Sequence, residues 1–398
     1  MKTTTTLLNL ILGFTLLYIT TSCEKEEPLP SADYEQVVPG FEGSARIAAS
    51  LDYGLYWFNT NNQSVSGFDA AAGQPRSVSS TYYDPSKPTI IYFHGWQPVF
   101  GLERENFRLT NGLLGVDINT VERWKQQGWN VGIFYWDQFA NELEVKDAEA
   151  KIWSATGPKG MRYWKSDGSY ATDPSINVSV SELAYEQLSR TIGQNSSGNL
   201  RFAGHSLGNQ LATNVARLFG WHAANGEVSI VPNRVELLDP FWSQDGKGYL
   251  GDYNQDGKND WTGERCRWYV QELQQEYNIA FTWYRSSGIA DLGIGDKNRP
   301  LEELVALISL RFWYLNGLDI PNKHNYVRHH YFWSLSFEEP TECTIRWTRR
   351  YPTGNVAASA ATSDERIRQM MGNQYHWDQV EGRYTVSPDD DWFERKSY

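Results

Sequence analysis

Five short runs constrain this chain more than any other feature: TIIYFHGW (89–96), NVGIFYW (130–136), NLRFAGHS (199–206), RVELLD (234–239) and NIAFTWYR (278–285). A strand with one wet face alternates apolar and polar residues. Runs that are apolar almost throughout predict strands covered on both faces. Between them TVERWKQQG, SELAYEQLSRTIG and NQLATNVARLFGWHA place apolar residues at helical spacing. Strands alternating with helices predict βαβ crossovers, hence an α/β architecture with a mostly parallel central sheet and helices on both faces. Upstream, LDYGLYWF and STYYD predict antiparallel edge strands, and residues 151–175, rich in Gly, Asp and Ser, predict a long loop insertion. No repeat and no second linker interrupts the rest, so 41–398 reads as one domain, with a C-terminal extension from about 339.

The first 23 residues predict a lipoprotein signal outside that domain. Lys2 is a positive start, and LLNLILGFTLLYI (7–19) is an apolar stretch too short to span a bilayer. TTSC then offers Cys23 as a lipidated N-terminus, followed by an acidic tether over 24–40. This predicts an outer-membrane lipoprotein in the cell envelope, with the membrane as a partner through the lipid anchor. The net charge of −12 excludes a nucleic-acid partner, which would need a basic stripe. With Cys23 lipidated, Cys266 and Cys343 remain and could bridge outside the cytoplasm.

FAGHSLGNQLA contains Ser206 in a G-x-S-x-G pattern. A chain with 33 glycines can match five residues by accident, so context decides. A predicted strand precedes the serine and a predicted helix follows it. That is the strand–turn–helix that lifts a nucleophilic hydroxyl above a sheet edge. The Leu207 N–H then lies at a helix start, where it can hold an oxyanion. IIYFHGWQ offers a second donor, the Trp96 N–H, with His94 as a structural histidine of the same turn. In this arrangement the chain order is Ser, acid, His. Asp239, ending RVELLDP, is the expected acid. His324, His329, His330 and His376 follow it, the first three within PNKHNYVRHHYFWSLS.

HGW, FYWDQFANE, GHSLG and LLDP together resemble the pancreatic-type lipases of the α/β-hydrolase fold, over roughly residues 88–334. The resemblance implies a carboxylic ester hydrolase acting on lipids through a Ser-His-Asp triad and an acyl-enzyme, without an organic cofactor. It favours His324 as base, because Tyr331 and Ser334 follow it as aromatic residues and a serine follow that family's histidine. His330 and His329 stay as alternatives. Phe241 departs from the family's Ala after LDP, and the family's cysteine pattern is absent. Other serine hydrolases (a phospholipase, a carbohydrate esterase or a peptidase) and a non-catalytic, calcium-stabilised binding lipoprotein are the competing functions.

GDYNQDGKNDW predicts a calcium loop at 252–263. Asp252, Asn254, Asp256 and Asp260 occupy loop positions 1, 3, 5 and 9, Gly257 position 6, and the Lys258 carbonyl position 7. Position 12 is Gly263 rather than Glu. The ion is expected to be structural.

Overall fold

The computed structural model describes residues 50–97, 104–111, 115–193, 195, 197–291, 293, 295–372 and 374–398. The predicted signal, Cys23 and the tether lie outside the described residues. Among those residues no helix is long and apolar enough to cross a membrane.

The main sheet has twelve strands, numbered in chain order: β1 Gly54–Phe58, β2 Ser64–Ser66, β3 Thr89–Phe93, β4 Asn130–Tyr135, β5 Leu200–His205, β6 Arg234–Leu238, β7 Ala280–Arg285, β8 Ala306–Ser309, β9 Thr341–Arg346, β10 Arg349–Val356, β11 Tyr375–Glu381 and β12 Trp392–Ser397. Their spatial order is β10-β9-β12-β11-β8-β7-β6-β5-β3-β4-β1-β2. From β4 through β8 and on to β11 every neighbouring pair is parallel. The predicted runs form this centre, and β3 is buried at all five residues. LDYGLYWF supplies β1, antiparallel to β4. STYYD forms turns rather than a strand.

The helices are α1 Val121–Gln126, α2 Val145–Trp153, α3 Val180–Ile192, α4 Gly208–Ala224, α5 Thr262–Tyr277, α6 Ile320–Ser334 and α7 Asp364–Met370. Side chains alternate across a strand, so each strand feeds two cores. Ile91 and Phe93 pack with Ile152, Leu188, Leu211, Val215 and Leu273 of α2–α5. Ile90 and Tyr92 pack with Trp124, Val327, Tyr331, Ile367 and Met370 of α1, α6 and α7. The predicted insertion begins inside α2 and continues as a short hairpin, Tyr163–Trp164 with Tyr170–Ala171.

The C-terminal extension is part of the sheet. Buried guanidinium groups on the central strands bind its backbone: Arg201 Nη1 donates to Ala360 O at 2.9 Å, and Arg234 donates to Thr362 O at 2.6 Å and Ser359 O at 2.9 Å. Cys266 lies on the buried face of α5 and Cys343 in β9, both buried and unbridged. Of the two alternatives left open, bridged or free, the structure has two free thiols, and burial pushes the Cys266 thiol up to about 12.

Candidate active site

Ser206 stands between β5 and α4 with φ 54°, a left-handed conformation unusual for a side-chain-bearing residue. Three contacts hold it there. Its N–H donates to Leu238 O at 3.1 Å, and its carbonyl accepts from Asn209 N at 3.2 Å and Phe241 N at 3.3 Å. The Asn209 side-chain amide also donates to that carbonyl. The motif glycines serve close approach: a Cβ on Gly204 would lie 2.3 Å from Gly208 O, and one on Gly208 would lie 2.1 Å from Phe93 O. The nucleophile turn thus sits directly on the end of β3.

The HGW turn meets the same spot. A Cβ on Gly95 would lie 2.7 Å from Ser206 Cβ, so the Gly95–Trp96 peptide adjoins the serine. Among the described residues no carbonyl takes the backbone N–H of Trp96 or Leu207. His94 braces this turn from within. Its Nδ1 lies 2.9 Å from Gly95 O, its Nε2 accepts from Trp136 N at 3.0 Å, and its ring stacks on Trp136. Burial pushes His94 down to about 3, so it stays neutral and structural. The Trp96 ring is tied by Nε1 to Glu142 O at 2.8 Å, and the Glu142 carboxylate holds the buried Lys151 at 2.6 Å.

Asp239 follows β6, also at positive φ (42°), and is buried. Its carboxylate accepts from Ser286 N at 2.9 Å, Ser287 N at 3.1 Å and the Ser287 hydroxyl. His324 Nδ1 lies 2.7 Å from Asp239 Oδ2. Burial alone would raise the carboxyl, but His324, Ser287 and Ser286 outweigh it and hold Asp239 below its ordinary value. An ionised acceptor at that distance puts the imidazole proton on Nδ1 and leaves the Nε2 lone pair available as a base.

The three neighbouring histidines are thereby separated. His330 pairs with Asp391 at 2.8 Å, just before β12. His329 is buried, and its cation is strongly disfavoured by that burial. His324 alone of the three meets Asp239. It does so from the first turn and a half of helix α6, not from a loop. Two contacts fix that turn: Ser286 Oγ donates to Lys323 O at 2.9 Å, and His205 Nε2 to His324 O at 2.8 Å, with the two imidazole rings 4.5 Å apart. Burial, with the His324 ring, pushes His205 down to about 3. His205 therefore meets that carbonyl as a neutral donor.

The strand order, the serine turn between β5 and α4 and the acid after β6 are on one chain. It has the α/β-hydrolase fold. No protein-family model and no curated protein matches it. Among solved structures it is similar to carboxyl esterase 2 of the mycorrhizal fungus Tuber melanosporum, at 14% identity over 81% of this chain and 96% of that one, with TM-score 0.31. It is similar to a thermophilic esterase of the planctomycete Thermogutta terrifontis, at 9% identity over 72% and 93%, with TM-score 0.29. It is also similar to the thioesterase domain from the curacin biosynthetic pathway, at 13% identity over 62% and 91%, with TM-score 0.28. Likenesses this distant carry no argument about chemistry, so the fold rests on the chain's own topology.

One organising residue has no motif to announce it. Glu149 on α2 is fully buried. Its Oε1 accepts from Gln210 Nε2 at 2.7 Å, Ser243 N at 2.9 Å and Thr262 Oγ1 at 2.8 Å, and its Oε2 from the Ser243 hydroxyl. One carboxylate thus ties together the nucleophile helix, the loop after Asp239 and the start of α5. Glu149→Ala removes the acceptor of four hydrogen bonds from buried donors. It is expected to cost on the order of 100-fold in turnover through misplacement of these elements, and to lower the melting temperature. Glu149→Gln, which keeps one acceptor oxygen, is expected to recover most of both. Beside Glu149 a cleft of about 930 Å³ opens at the HGW turn, lined among others by Trp96, Leu143, Val145, Pro158, Ser243 and Tyr249.

In the predicted calcium loop the side chains bond to protein groups. Asp260 is buried and paired with Arg265, its Nε at 3.1 Å. Asp252 accepts from Asp256 N at 3.0 Å and Gly257 N at 2.9 Å, and Asn254 Oδ1 from Asp256 N at 2.9 Å. Asp256 Oδ1 accepts from Lys258 N at 2.9 Å. Among the described residues no three acidic, histidine or cysteine side chains gather into a cation site.

Proposed function

We propose that this chain is a serine hydrolase of carboxylic esters. The observation that carries the reading is the meeting of His324 with Asp239 at 2.7 Å, together with Ser206 held at φ 54° between strand and helix and its chain neighbour His205 bonded to His324 O at 2.8 Å. Asp239 fixes the His324 tautomer and stabilises its cation. His324 Nε2 takes the Ser206 proton as Oγ attacks the ester carbonyl. The Trp96 and Leu207 N–H groups face the developing oxyanion. His324 returns the proton to the leaving alcohol, and a water resolves the acyl-enzyme by the same route.

A lipid substrate is the finer reading. It is supported by the apolar side chains of the cleft beside Trp96, where Leu143 is 70% exposed. The apolar stretch ending at Cys23 supports, as part of the same proposal, an outer-membrane lipoprotein. Structural calcium rests on the spacing of Asp252, Asn254, Asp256, Lys258 and Asp260 alone. A melting temperature indifferent to calcium and to chelator removes the ion from this reading.

The test is hydrolysis of p-nitrophenyl esters of increasing chain length, with a fluorophosphonate as covalent probe. The expected adduct is on Ser206. Turnover is expected to fall by about 10³-fold or more in His324→Ala and to be retained in His330→Ala. The converse result would assign the base to His330, and no turnover by folded wild type would favour the binding lipoprotein.

A further inference from the structure

β9 and β10 form a hairpin at one edge of the sheet, with β10 as its terminal strand. Arg346 pairs across from Arg349, so the turn is Trp347–Thr348. Three features of this turn are unexplained by folding. Trp347 has φ 60°, and a two-residue hairpin turn with positive φ at its first position ordinarily takes glycine. Its side chain is 100% exposed, so the indole packs on nothing. Arg346 and Arg349 stand directly opposite each other, where like charges destabilise a strand pair. Neither has an acidic partner among the described residues. Arg350 is paired with Glu381 at 2.6 Å and remains 35% exposed. Tyr351 (45%) and Tyr384 (80%) add exposed rings on a groove of about 550 Å³, which Glu381 and Asp390 also line. On a chain of net charge −12 this tip reverses the charge locally.

We propose that the Trp347 hairpin docks the protein on an anionic membrane surface. An indole is apolar with one N–H donor, which suits the headgroup level of a bilayer. The Arg346 and Arg349 guanidinium groups then lie against lipid phosphates, which attract unpaired cations held within a Debye length of the surface. A narrow tip can enter a headgroup layer, whereas a stable protein partner needs a broad complementary face. This surface is separate from Ser206 and independent of the ester chemistry.

The test is co-sedimentation of the full chain with vesicles of phosphatidylcholine alone or mixed with phosphatidylglycerol. Binding to the mixed vesicles is expected to exceed binding to the neutral ones and to weaken as salt is raised. Arg346→Gln/Arg349→Gln is expected to lower that binding roughly tenfold or more, and Trp347→Ala to lower it on both lipids. The N-terminal residues are the same in every variant, so these differences belong to the hairpin. Each variant should melt at or above the wild-type temperature, because the exchanged groups are exposed. Ser206→Ala should bind as wild type, which separates this proposal from the hydrolase reading. Equal binding by wild type and hairpin variants overturns it. So does hairpin-dependent capture by heparin without binding to vesicles, which would assign a soluble polyanion instead.

Discussion

Ser206→Ala is expected to reduce ester turnover by at least about 10³-fold, to the level that binding and oxyanion donors sustain alone. It is also expected to leave the fold intact. The contacts that hold residue 206 run through its backbone N–H and carbonyl. Alanine preserves both, so stability should change by no more than ~0.5 kcal/mol. Ser206→Gly sharpens the point. At φ 54° glycine avoids the left-handed penalty, so that variant should be more stable by roughly 1 kcal/mol and equally inactive. Melting temperature and turnover measured on the same preparations check both claims. Turnover that survives either substitution sinks Ser206 as nucleophile.

Asp239→Asn carries the second large effect, a fall on the order of 10³- to 10⁴-fold in kcat/KM. The carboxylate accepts at once from His324 Nδ1, two backbone N–H groups and a hydroxyl. An asparagine there brings an amide that donates. Turned toward His324, it forces the proton onto Nε2 and removes the lone pair the reaction needs. Turned away, it opposes the Ser286 and Ser287 N–H groups. The pH dependence has a definite sign. Asp239 is held below the ordinary carboxyl range, so it is ionised throughout the neutral and mildly acidic range and does not set the acid limb of activity. Its contribution to stability is full above the unfolded value of about 4 and is lost as pH falls through the lower native value. Wild type should therefore lose more stability than Asp239→Asn between about pH 4 and 2, measured by urea unfolding. Equal losses would show that these bonds add nothing to the folded state.

Part of this was legible because its physics is local. Residues 89–93 and 200–205 are buried without alternation because both sheet faces are covered, and in 89–93 that shows as an almost unbroken apolar run. GHSLG is legible because strand, turn and helix are contiguous, and the turn needs glycines where backbone meets backbone. β8, by contrast, is four residues, ALIS, inside a longer apolar stretch, and β9–β12 carry many exposed polar residues with only the seven-residue α7 among them. No crossover pattern marks them as strands of the same sheet.

By itself, then, the sequence determined the parallel centre, the serine turn and the order serine, acid, histidine. The tertiary structure decided which groups meet. Asp239 and His324 are 85 residues apart, and only the packing of α6 over the sheet selects His324 over His330, which Asp391 takes instead. Arg265 pairs with Asp260 of the predicted calcium loop, and the two core cysteines are buried on elements that do not bring them together. Glu149 gathers donors from three segments across 113 residues without any motif. Turn and strand preferences are properties of neighbouring residues, whereas a hydrogen bond goes to whichever group the fold brings within 3 Å.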